Sequence, residues 1–259
     1  MERTIIIGDV HGCIRELREL IGLLHVQDTD HIIFAGDILD KGEDSPAVVK
    51  YCRTMTESRP AGMTELIEGN HENKHARFRR HQRLFREQGK PIPMKKTEEL
   101  HTITEALSAE DVAYLDTAKL YIKLPEHNAL VVHAGVPPSI SFLPPLRDID
   151  AMDRKKADKY KQLLRVRFVD SDGWMVPLGD ETPKDVYWAE VYDGRFGHCY
   201  FGHQPFHPAA TPREFPHATG LDLGCCFGGN LCAVVLEDGR TEFKTVSAKA
   251  KYAKGLWDE

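Results

Sequence analysis

The sequence predicts a mixed α/β (α+β) fold, and three features of its 259 residues support this class. The first part alternates short apolar runs with segments of helical periodicity, which is typical of βαβ units. A helical, basic stretch follows, and short apolar runs separated by turn residues occupy the last part. We therefore expect one domain over residues 1–259, with a helical insertion at about 71–118 and a strand-rich second half.

The first part contains three apolar runs that end in glycine and a polar residue. RTIIIGDVHG, HIIFAGDILDKG and TELIEGNHE each predict a strand followed by a tight turn. CIRELRELIGLL predicts a helix between the first two, because its apolar residues recur at helical spacing. SPAVVKYCRTM predicts the next helix, with Ser45 as its N-cap and Pro46 at its first helical position.

The remaining elements follow from the same signals. Residues 71–88 predict a basic helix, and SAEDVAYLDTA predicts another in which Ser108 and Asp111 form a capping box. LYIKL and ALVVHAG predict a strand pair, and one helix is expected near 151–165. NLCAVVLEDGRTEFKTVSA predicts a hairpin that turns at Asp238-Gly239.

The composition excludes several classes of protein. Hydrophobic residues make up 41% and charged residues 29%, and the net charge of −6 shows no global excess of basic residues. No apolar run approaches the roughly 18–20 residues that cross a bilayer, so no membrane partner is expected. The six cysteines form no C-x-x-C pair, which favours free thiols in a cytoplasmic protein over a disulfide framework.

Several of the apolar runs end in side chains suited to divalent metal ions. Each is close to glycine, which permits the tight turns that let side chains at strand ends converge. The carboxyl ends of neighbouring strands share one crevice, so we expect the active site there. The residues are Asp9, His11, Asp37, Asn70, His71, His133 and His203.

Imidazole, carboxylate and amide ligands together fit a centre for two divalent ions. Asp37 is the natural bridge, because a carboxylate has two oxygens. Such a pair clamps the oxygens of a phosphoryl displacement and lowers the pKa of a shared water, so that a metal-bridged hydroxide forms near neutrality. His71 would protonate the leaving oxygen, and Asp40 would orient the His71 ring. We expect manganese, with iron, zinc or nickel as alternatives.

Each of these residues taken alone has a simpler interpretation. A Gly-Asp pair after a strand is usually a turn, and a single histidine at a strand end is more often structural than a ligand. Five glycine-flanked sites at the ends of apolar runs are hard to explain by chance. The set as a whole therefore favours a metal centre.

The set GDVHG, GDILDKG, GNHE, HAG and FGH resembles the calcineurin-like metallophosphoesterase superfamily, and its phosphoprotein phosphatase branch in particular. Within that branch it is similar to bacterial bis(5′-nucleosyl)-tetraphosphatases and to the phosphatase module of bacterial polynucleotide kinase-phosphatases. The resemblance implies a two-sheet β-sandwich flanked by helices. It also implies one metal on Asp9, His11 and Asp37, and a second on Asp37, Asn70, His133 and His203.

Two positions depart from this resemblance. Lys41 and Glu68 occupy positions where protein phosphatases of the branch carry arginines that grip the terminal phosphate. Lysine keeps the positive charge but loses the bidentate fork, and Glu68 would repel a phosphate dianion. A diester or polyphosphate held through more distant phosphates therefore fits better than a phosphoprotein.

A basic run follows the third motif, with nine Lys or Arg and two Glu in residues 71–96. Lys74 and Arg77 share a helix face and are predicted to hold outer phosphates, together with Lys41. Arg165 and Arg167 are further candidates for substrate contacts. A solvated helix face is the alternative for all the basic residues of this run.

We therefore expect a phosphohydrolase whose partner is a phosphorylated small molecule, a nucleotide such as diadenosine tetraphosphate. A Ser/Thr protein phosphatase is the first alternative. A nucleic-acid end phosphatase or phosphodiesterase is the second, and the basic run keeps nucleic acid open as a partner. A degenerate scaffold without activity would have lost ligands, whereas all seven expected metal and acid positions are occupied.

Overall fold

The computed structural model describes residues 3–206 and 211–255, so the predicted domain limits at residues 1 and 259 lie outside the described residues. The strands are β1 (Thr4–Ile7), β2 (His31–Phe34), β3 (Thr64–Leu66), β4 (Tyr121–Leu124), β5 (Ala129–Val132), β6 (Phe168–Val169), β7 (Val186–Tyr187), β8 (His198–Phe201), β9 (Arg213–Phe215), β10 (Ala218–Gly220), β11 (Asn230–Glu237) and β12 (Arg240–Ser247). The helices are α1 (Ile14–Leu24), α2 (Ser45–Glu57), α3 (Asn70–Gln88), α4 (Thr97–Ala106), α5 (Ala109–Leu115), α6 (Leu146–Asp150), α7 (Arg154–Tyr160) and α8 (Trp188–Val191).

Two five-stranded sheets form the centre of the fold. The first has the strand order β12-β11-β1-β2-β3, and the second has the order β4-β5-β8-β10-β9. Helices α3, α4 and α5 lie between β3 and β4 in the chain, and β6 pairs with β7 in a small separate sheet. The predicted mixed α/β class, with two sheets and flanking helices, is confirmed.

The isoleucine run of β1 shows how the layers are built. Side chains alternate across a strand, so consecutive residues face opposite layers. Ile5 and Ile7 pack with the apolar residues of α1 and α2, whereas Ile6 packs with Val131 and other residues of the second sheet. All three isoleucines are fully buried. An unbroken apolar run is therefore required where a strand is covered on both faces.

Parallel pairing brings the turns of the first sheet to one edge. β1 pairs in parallel with β2, and β2 with β3, with α1 and α2 as the crossover helices. The three strands therefore end on the same side, immediately before Asp9, Asp37 and Asn70.

The second sheet contributes two further strand ends. β5 and β8 are parallel, as are β8 and β10. The backbone N–H of Gly202 donates to the carbonyl of His133 at 2.8 Å, which holds the turns after β5 and β8 together. The first turn carries His133 and the second His203, so both sheets supply side chains to one crevice.

Most predicted elements are present, and two predictions were wrong in detail. The N-cap of α2 is Asp44, which accepts from the N–H of Ala47 at 2.9 Å, and not Ser45. The Ser45 hydroxyl instead accepts from the backbone N–H of Asp40 at 2.9 Å. The single helix predicted near 151–165 is interrupted: α6 ends at 150, and α7 is followed by a 3-10 turn over 161–164.

Turn chemistry was predicted well. Ser108 and Asp111 form the capping box of α5. Asp238 and Gly239 join β11 to β12, with φ angles of 48° and 73°, the positive values that a tight hairpin requires. The six cysteines all lie in the described ranges and are free and buried. None of the helices in the described ranges has the length and apolar character needed to cross a membrane.

Gly135 provides a test of the packing behind the site. A Cβ at this position would lie 2.1 Å from the ring of Trp188, which is fully buried. We expect Gly135→Ala to lower the free energy of unfolding by about 1–3 kcal/mol more than Gly62→Ala, because overpacking adds to backbone strain only at Gly135.

Gly62→Ala is the matched control, because Gly62 also has a positive φ of 84° but open space around it. Urea denaturation monitored by tryptophan fluorescence would measure both variants. Equal losses of stability in the two variants would show that the Trp188 contact does not constrain Gly135.

Candidate active site

Two groups of side chains with metal-binding atoms meet at the shared strand edge. His11, Asp37 and His71 form one group, and Asp37, His133 and His203 form the other. Within each group the ligand atoms lie within 4.8 Å of one another. Asp37 belongs to both, which is the arrangement expected of a bridging carboxylate.

Two histidines are held in the orientation that a metal ligand needs. The Nδ1–H of His11 donates to the Leu39 carbonyl at 2.8 Å, and that of His133 donates to the Ala35 carbonyl at 2.9 Å. Their Nε2 atoms then face Asp37, at 3.6 Å from Oδ2 for His11 and 3.4 Å from Oδ1 for His133. A backbone carbonyl on the far nitrogen is the usual support of a metal-binding imidazole.

His203 shows most directly that the site fits a cation. Both of its ring nitrogens are buried and have no hydrogen-bond partner among the described residues. Its backbone N–H donates to the Asp9 carboxylate at 3.0–3.1 Å, which ties the turn after β8 to the turn after β1. A buried imidazole without a partner is costly, and coordination of a metal ion would remove that cost.

Asn70 completes the predicted ligand set. Its amide oxygen lies 3.1 Å from His133 Nε2 at the first residue of α3. The structure thus brings all six predicted metal ligands into one crevice: Asp9, His11, Asp37, Asn70, His133 and His203.

The carboxylates of Asp9 and Asp37 are both buried, but their pKa values are shifted in opposite directions. Burial and the nearby Asp222 raise the pKa of Asp9 well above its usual range. Burial also acts to raise the pKa of Asp37, but His133 and His71 outweigh it and hold that pKa well below its usual value. Asp37 is therefore the more strongly ionised of the two, as a bridge between cations requires.

Backbone strain is concentrated in the same turns. His11, Asp37, Asp40, Lys41 and His203 all have positive φ angles, between 45° and 68°. Such angles are uncommon for residues other than glycine and persist only where the surroundings fix them. The strain is therefore consistent with turns shaped to direct these side chains.

Glu72 fixes the Asp37 turn, and sequence reasoning missed it. Its carboxylate is buried and accepts from the N–H groups of Asp37 at 2.7 Å, Ile38 at 3.0 Å and Gly69 at 2.8 Å. Burial, with Asp37 next, raises the pKa of Glu72 to about 7. Its position inside the GNHE motif was the available signal.

The predicted acid and its partner are in contact. His71 Nδ1 lies 2.5 Å from Asp40 Oδ2, and His71 Nε2 points into the crevice, 3.8 Å from Asp37 Oδ2. Burial opposes ionisation of Asp40, but hydrogen bonds from His71 and His75 hold its pKa far below its usual value. The contact with Asp40 fixes the orientation of the His71 ring.

His75 is a second histidine on Asp40 and was also missed. It is fully buried, and its Nε2 lies 2.8 Å from Asp40 Oδ1. Its Nδ1 lies 3.3 Å from the Thr104 hydroxyl on α4. The spacing of His71 and His75, one helical turn apart, could have identified the pair.

The predicted substrate-binding lysines lie beside the metal ligands. Lys41 Nζ is 2.9 Å from His11 Nε2 and 5.0 Å from the centre of the Phe227 ring. Lys74 Nζ is 3.7 Å from Asp40 Oδ2. Lys41 therefore lies beside the ligand group that contains His11, and Lys74 lies beside the pair formed by His71 and Asp40.

The two predicted arginines of residues 165–167 contact different segments of the chain. Arg165 donates to Asn73 Oδ1 at 2.8 Å, and the Asn73 amide donates in turn to Glu68 Oε1 at 2.8 Å. Arg167 donates to Gln204 Oε1 at 2.7 Å and approaches the His203 carbonyl at 3.4 Å. Burial lowers the pKa of both guanidinium groups, and the neighbouring Arg77 lowers that of Arg165 further.

Asp222 is a third carboxylate at this edge that sequence reasoning did not assign. It is buried, follows β10, and accepts from the N–H of Gly224 at 2.9 Å. Burial raises its pKa, whereas the Lys41 ammonium acts in the opposite direction. Asp222 follows a strand as Asp9 and Asp37 do, but Leu221 precedes it where glycine precedes the other two, so the Gly-Asp signal did not identify it.

Comparison with known proteins identifies the same family as the sequence motifs. The model of the calcineurin-like phosphoesterase family matches residues 2–207. An asymmetrical bis(5′-nucleosyl)-tetraphosphatase PrpE of Halalkalibacterium halodurans is 30% identical over 242 residues, covering 88% of each chain. Another, of Oceanobacillus iheyensis, is 28% identical over 257 residues, covering 95% of this chain and 93% of the relative.

A solved structure shares the fold. It is described provisionally as a diadenosine tetraphosphatase, and it superimposes with a TM-score of 0.68 at 24% sequence identity. The match covers 95% of this chain and 94% of the other. At this level of identity the match supports the fold alone.

Metal content tests the ligand geometry. We expect protein reconstituted with Mn²⁺ after chelation to hold about two ions per chain. His203→Ala removes a ligand of one group and should lose about one ion. Asp37→Asn weakens both groups and should lose both, because each shares that carboxylate. Elemental analysis of the purified variants measures this.

The exposed His101, which pairs with Glu105 on α4, supplies the control. His101→Ala should keep the full metal content. Retention of both ions by Asp37→Asn would contradict a shared carboxylate.

His75 should influence proton transfer through Asp40. We expect His75→Ala to lower kcat roughly tenfold for an alkyl phosphate ester, because the carboxylate that orients His71 loses a hydrogen bond. The loss should be smaller for p-nitrophenyl phosphate, whose leaving group needs no proton. His75→Gln keeps an N–H donor and should recover part of the rate.

The ratio of the two rates is the readout. A purely structural effect of His75→Ala would lower both rates equally, and that result would remove His75 from the positioning of the acid.

Proposed function

The chain belongs to the calcineurin-like phosphoesterase family, and we propose on this basis that it hydrolyses nucleotide polyphosphates such as diadenosine tetraphosphate. The observation that carries the proposal is the pair of ligand groups that share Asp37. The relatives whose names are those of bis(5′-nucleosyl)-tetraphosphatases support the choice of substrate class.

We propose that Asp9, His11 and Asp37 hold one divalent ion, and that Asp37, Asn70, His133 and His203 hold the second. Manganese is our choice, with iron, zinc or nickel as alternatives, because the set mixes imidazole with carboxylate and amide oxygen. Such ions supply positive charge for the phosphate oxygens and lower the pKa of the attacking water.

The side chains of the protein account for the rest of the chemistry. His71 presents its Nε2 to the crevice and its Nδ1 to Asp40, so a proton at Nε2 can pass to the leaving oxygen. Asp40 accepts the hydrogen bond from Nδ1 and holds the ring in the orientation that this transfer needs. The phosphoanhydride bond then breaks as water adds to phosphorus, and the two products each carry a phosphate end.

The cations around the crevice favour a long phosphate chain. Glu68 accepts from the Asn73 amide at 2.8 Å, and we propose that its negative charge disfavours a terminal phosphate dianion. Lys41 and Lys74 flank the ligand groups, whereas Arg77 lies further along α3 and Arg165 donates to Asn73 on that helix. A substrate whose charge extends beyond the reacting phosphate would use both sets.

We also propose a cytoplasmic location. The six free, buried cysteines support it, because unpaired thiols are typical of reducing compartments.

The substrate assignment can be tested with a panel of four compounds in the presence of Mn²⁺. They are diadenosine tetraphosphate, a phosphoserine peptide, a phosphomonoester and a phosphodiester. We expect the highest kcat/KM for the tetraphosphate, because it alone extends to Arg77 and Arg165.

Asp37→Asn is the control for contaminating hydrolases and should be inactive on every compound. A phosphopeptide that is cleaved faster than the tetraphosphate would reject the nucleotide assignment in favour of a protein phosphatase.

A further inference from the structure

A basic cleft lies beside the crevice, and it contains Arg77 and Arg165 together with further basic residues to which no role has yet been given. It has a volume of about 640 Å³, within the range of ligand-binding cavities. Helix α3 forms one wall, and residues 158–165 form the other. The lining residues are Asn73, Ala76, Arg77, Arg80, His81, Pro93, Asp158, Lys161 and Arg165.

The charge of the cleft is opposite to that of the protein. Its lining carries four Arg or Lys and one Asp, while the whole chain has a net charge of −6. Asp158 is paired with Lys161 at 2.5 Å. Arg77 and Arg80 are exposed and form no ion pair within the described part of the chain, in contrast to Arg79, which pairs with Asp116 at 2.6 Å.

Arg165 connects the cleft to the active site. Its guanidinium is held by Asn73, three residues after Asn70 on α3. It lies near enough to Arg77 for their charges to repel, and that repulsion adds to burial in lowering the pKa of Arg165. The charges of Glu68 and then Asp37 act on the pKa of Arg165 in the opposite direction. Like charges held together in a partly buried wall are stabilised by an anion between them.

The cleft follows α3 away from the metal ligands. From Asn70 to His81 the helix rises by about 16 Å, at 1.5 Å per residue. An extended anion could therefore have one end at Asp37 and the other between Arg77 and Arg80. Among the described residues, no Trp, Tyr or Phe lines the cleft, and His81 is its one aromatic ring, so charge is the main feature that the cleft offers to a ligand.

We propose that this cleft binds the outer phosphates of a linear polyphosphate whose reacting phosphate lies at the metal centre. The inference rests on the proposed function and deepens it: the number of phosphates, and not the base, would determine the substrate. The guanidinium groups of Arg77, Arg80 and Arg165 would hold the phosphates through charge-assisted hydrogen bonds.

A pair of double variants tests the cleft. Arg77→Ala/Arg80→Ala removes the two unpaired cations, and Arg83→Ala/Arg86→Ala removes the same charge from exposed positions of α3 outside the cleft. We expect kcat/KM for diadenosine tetraphosphate, relative to that for p-nitrophenyl phosphate, to fall at least about tenfold in the first variant only. KM should account for most of the change, and exchanging adenine for guanine should change little.

Two results of this comparison would overturn the proposal. One is an equal fractional loss of kcat/KM for diadenosine tetraphosphate and for p-nitrophenyl phosphate in the Arg77→Ala/Arg80→Ala variant. The other is an equal loss in the Arg83→Ala/Arg86→Ala control, which would indicate a general effect of charge.

A second measurement separates the cleft from the proposed function. Inorganic tripolyphosphate, with Mn²⁺ in excess, should inhibit hydrolysis of p-nitrophenyl phosphate, and the Arg77→Ala/Arg80→Ala variant should weaken that inhibition about tenfold. If the variant weakens inhibition by tripolyphosphate but the wild-type protein does not cleave diadenosine tetraphosphate, the cleft binds polyphosphate and the substrate assignment is wrong. If the tetraphosphate is cleaved and the variant behaves as wild type, the assignment stands and the cleft fails.

Nucleic acid is the competing occupant. A single-stranded oligonucleotide that binds more tightly than tripolyphosphate, with an affinity falling steeply in salt, would replace a polyphosphate site by a nucleic-acid site.

Discussion

The carboxylate of Asp37 is the group on which the candidate site depends. It lies within reach of His11 and His71 on one side and of His133 and His203 on the other. Its backbone has a positive φ of 49°, and Glu72 holds its N–H group at 2.7 Å. A Cβ at Gly69 would lie 2.2 Å from Asp37 Oδ1, so the turn before α3 can close on this carboxylate only with glycine.

The candidate site around Asp37 needs side chains from both sheets. Each sheet alone presents only part of the ligand set, with Asp37 from the first and His133 from the second. The contact between Asp9 and the N–H of His203 joins the turns of both sheets. Bringing several buried ionisable groups together is unfavourable unless a cation or hydrogen bonds compensate. Stability and function therefore make opposing demands on these turns.

The sequence was sufficient for the parts that follow from local rules. Strand ends flanked by glycine predicted the six side chains that meet in the crevice, and the Asp238-Gly239 pair predicted the last hairpin. Contacts between distant segments were not predictable in this way. Glu72 acts on the Asp37 turn 35 residues away, and Ser45 serves the Asp40 turn instead of capping α2. His71 and His75 are one helical turn apart in the sequence, but their shared contact with Asp40 depends on how α3 packs against the Asp40 turn.

Anomalous X-ray diffraction from crystals grown with Mn²⁺ would show whether Asp37 bridges two divalent ions. We expect two anomalous peaks about 3.5–4 Å apart with the Asp37 carboxylate between them. A single peak, or two peaks that do not share Asp37, would contradict it.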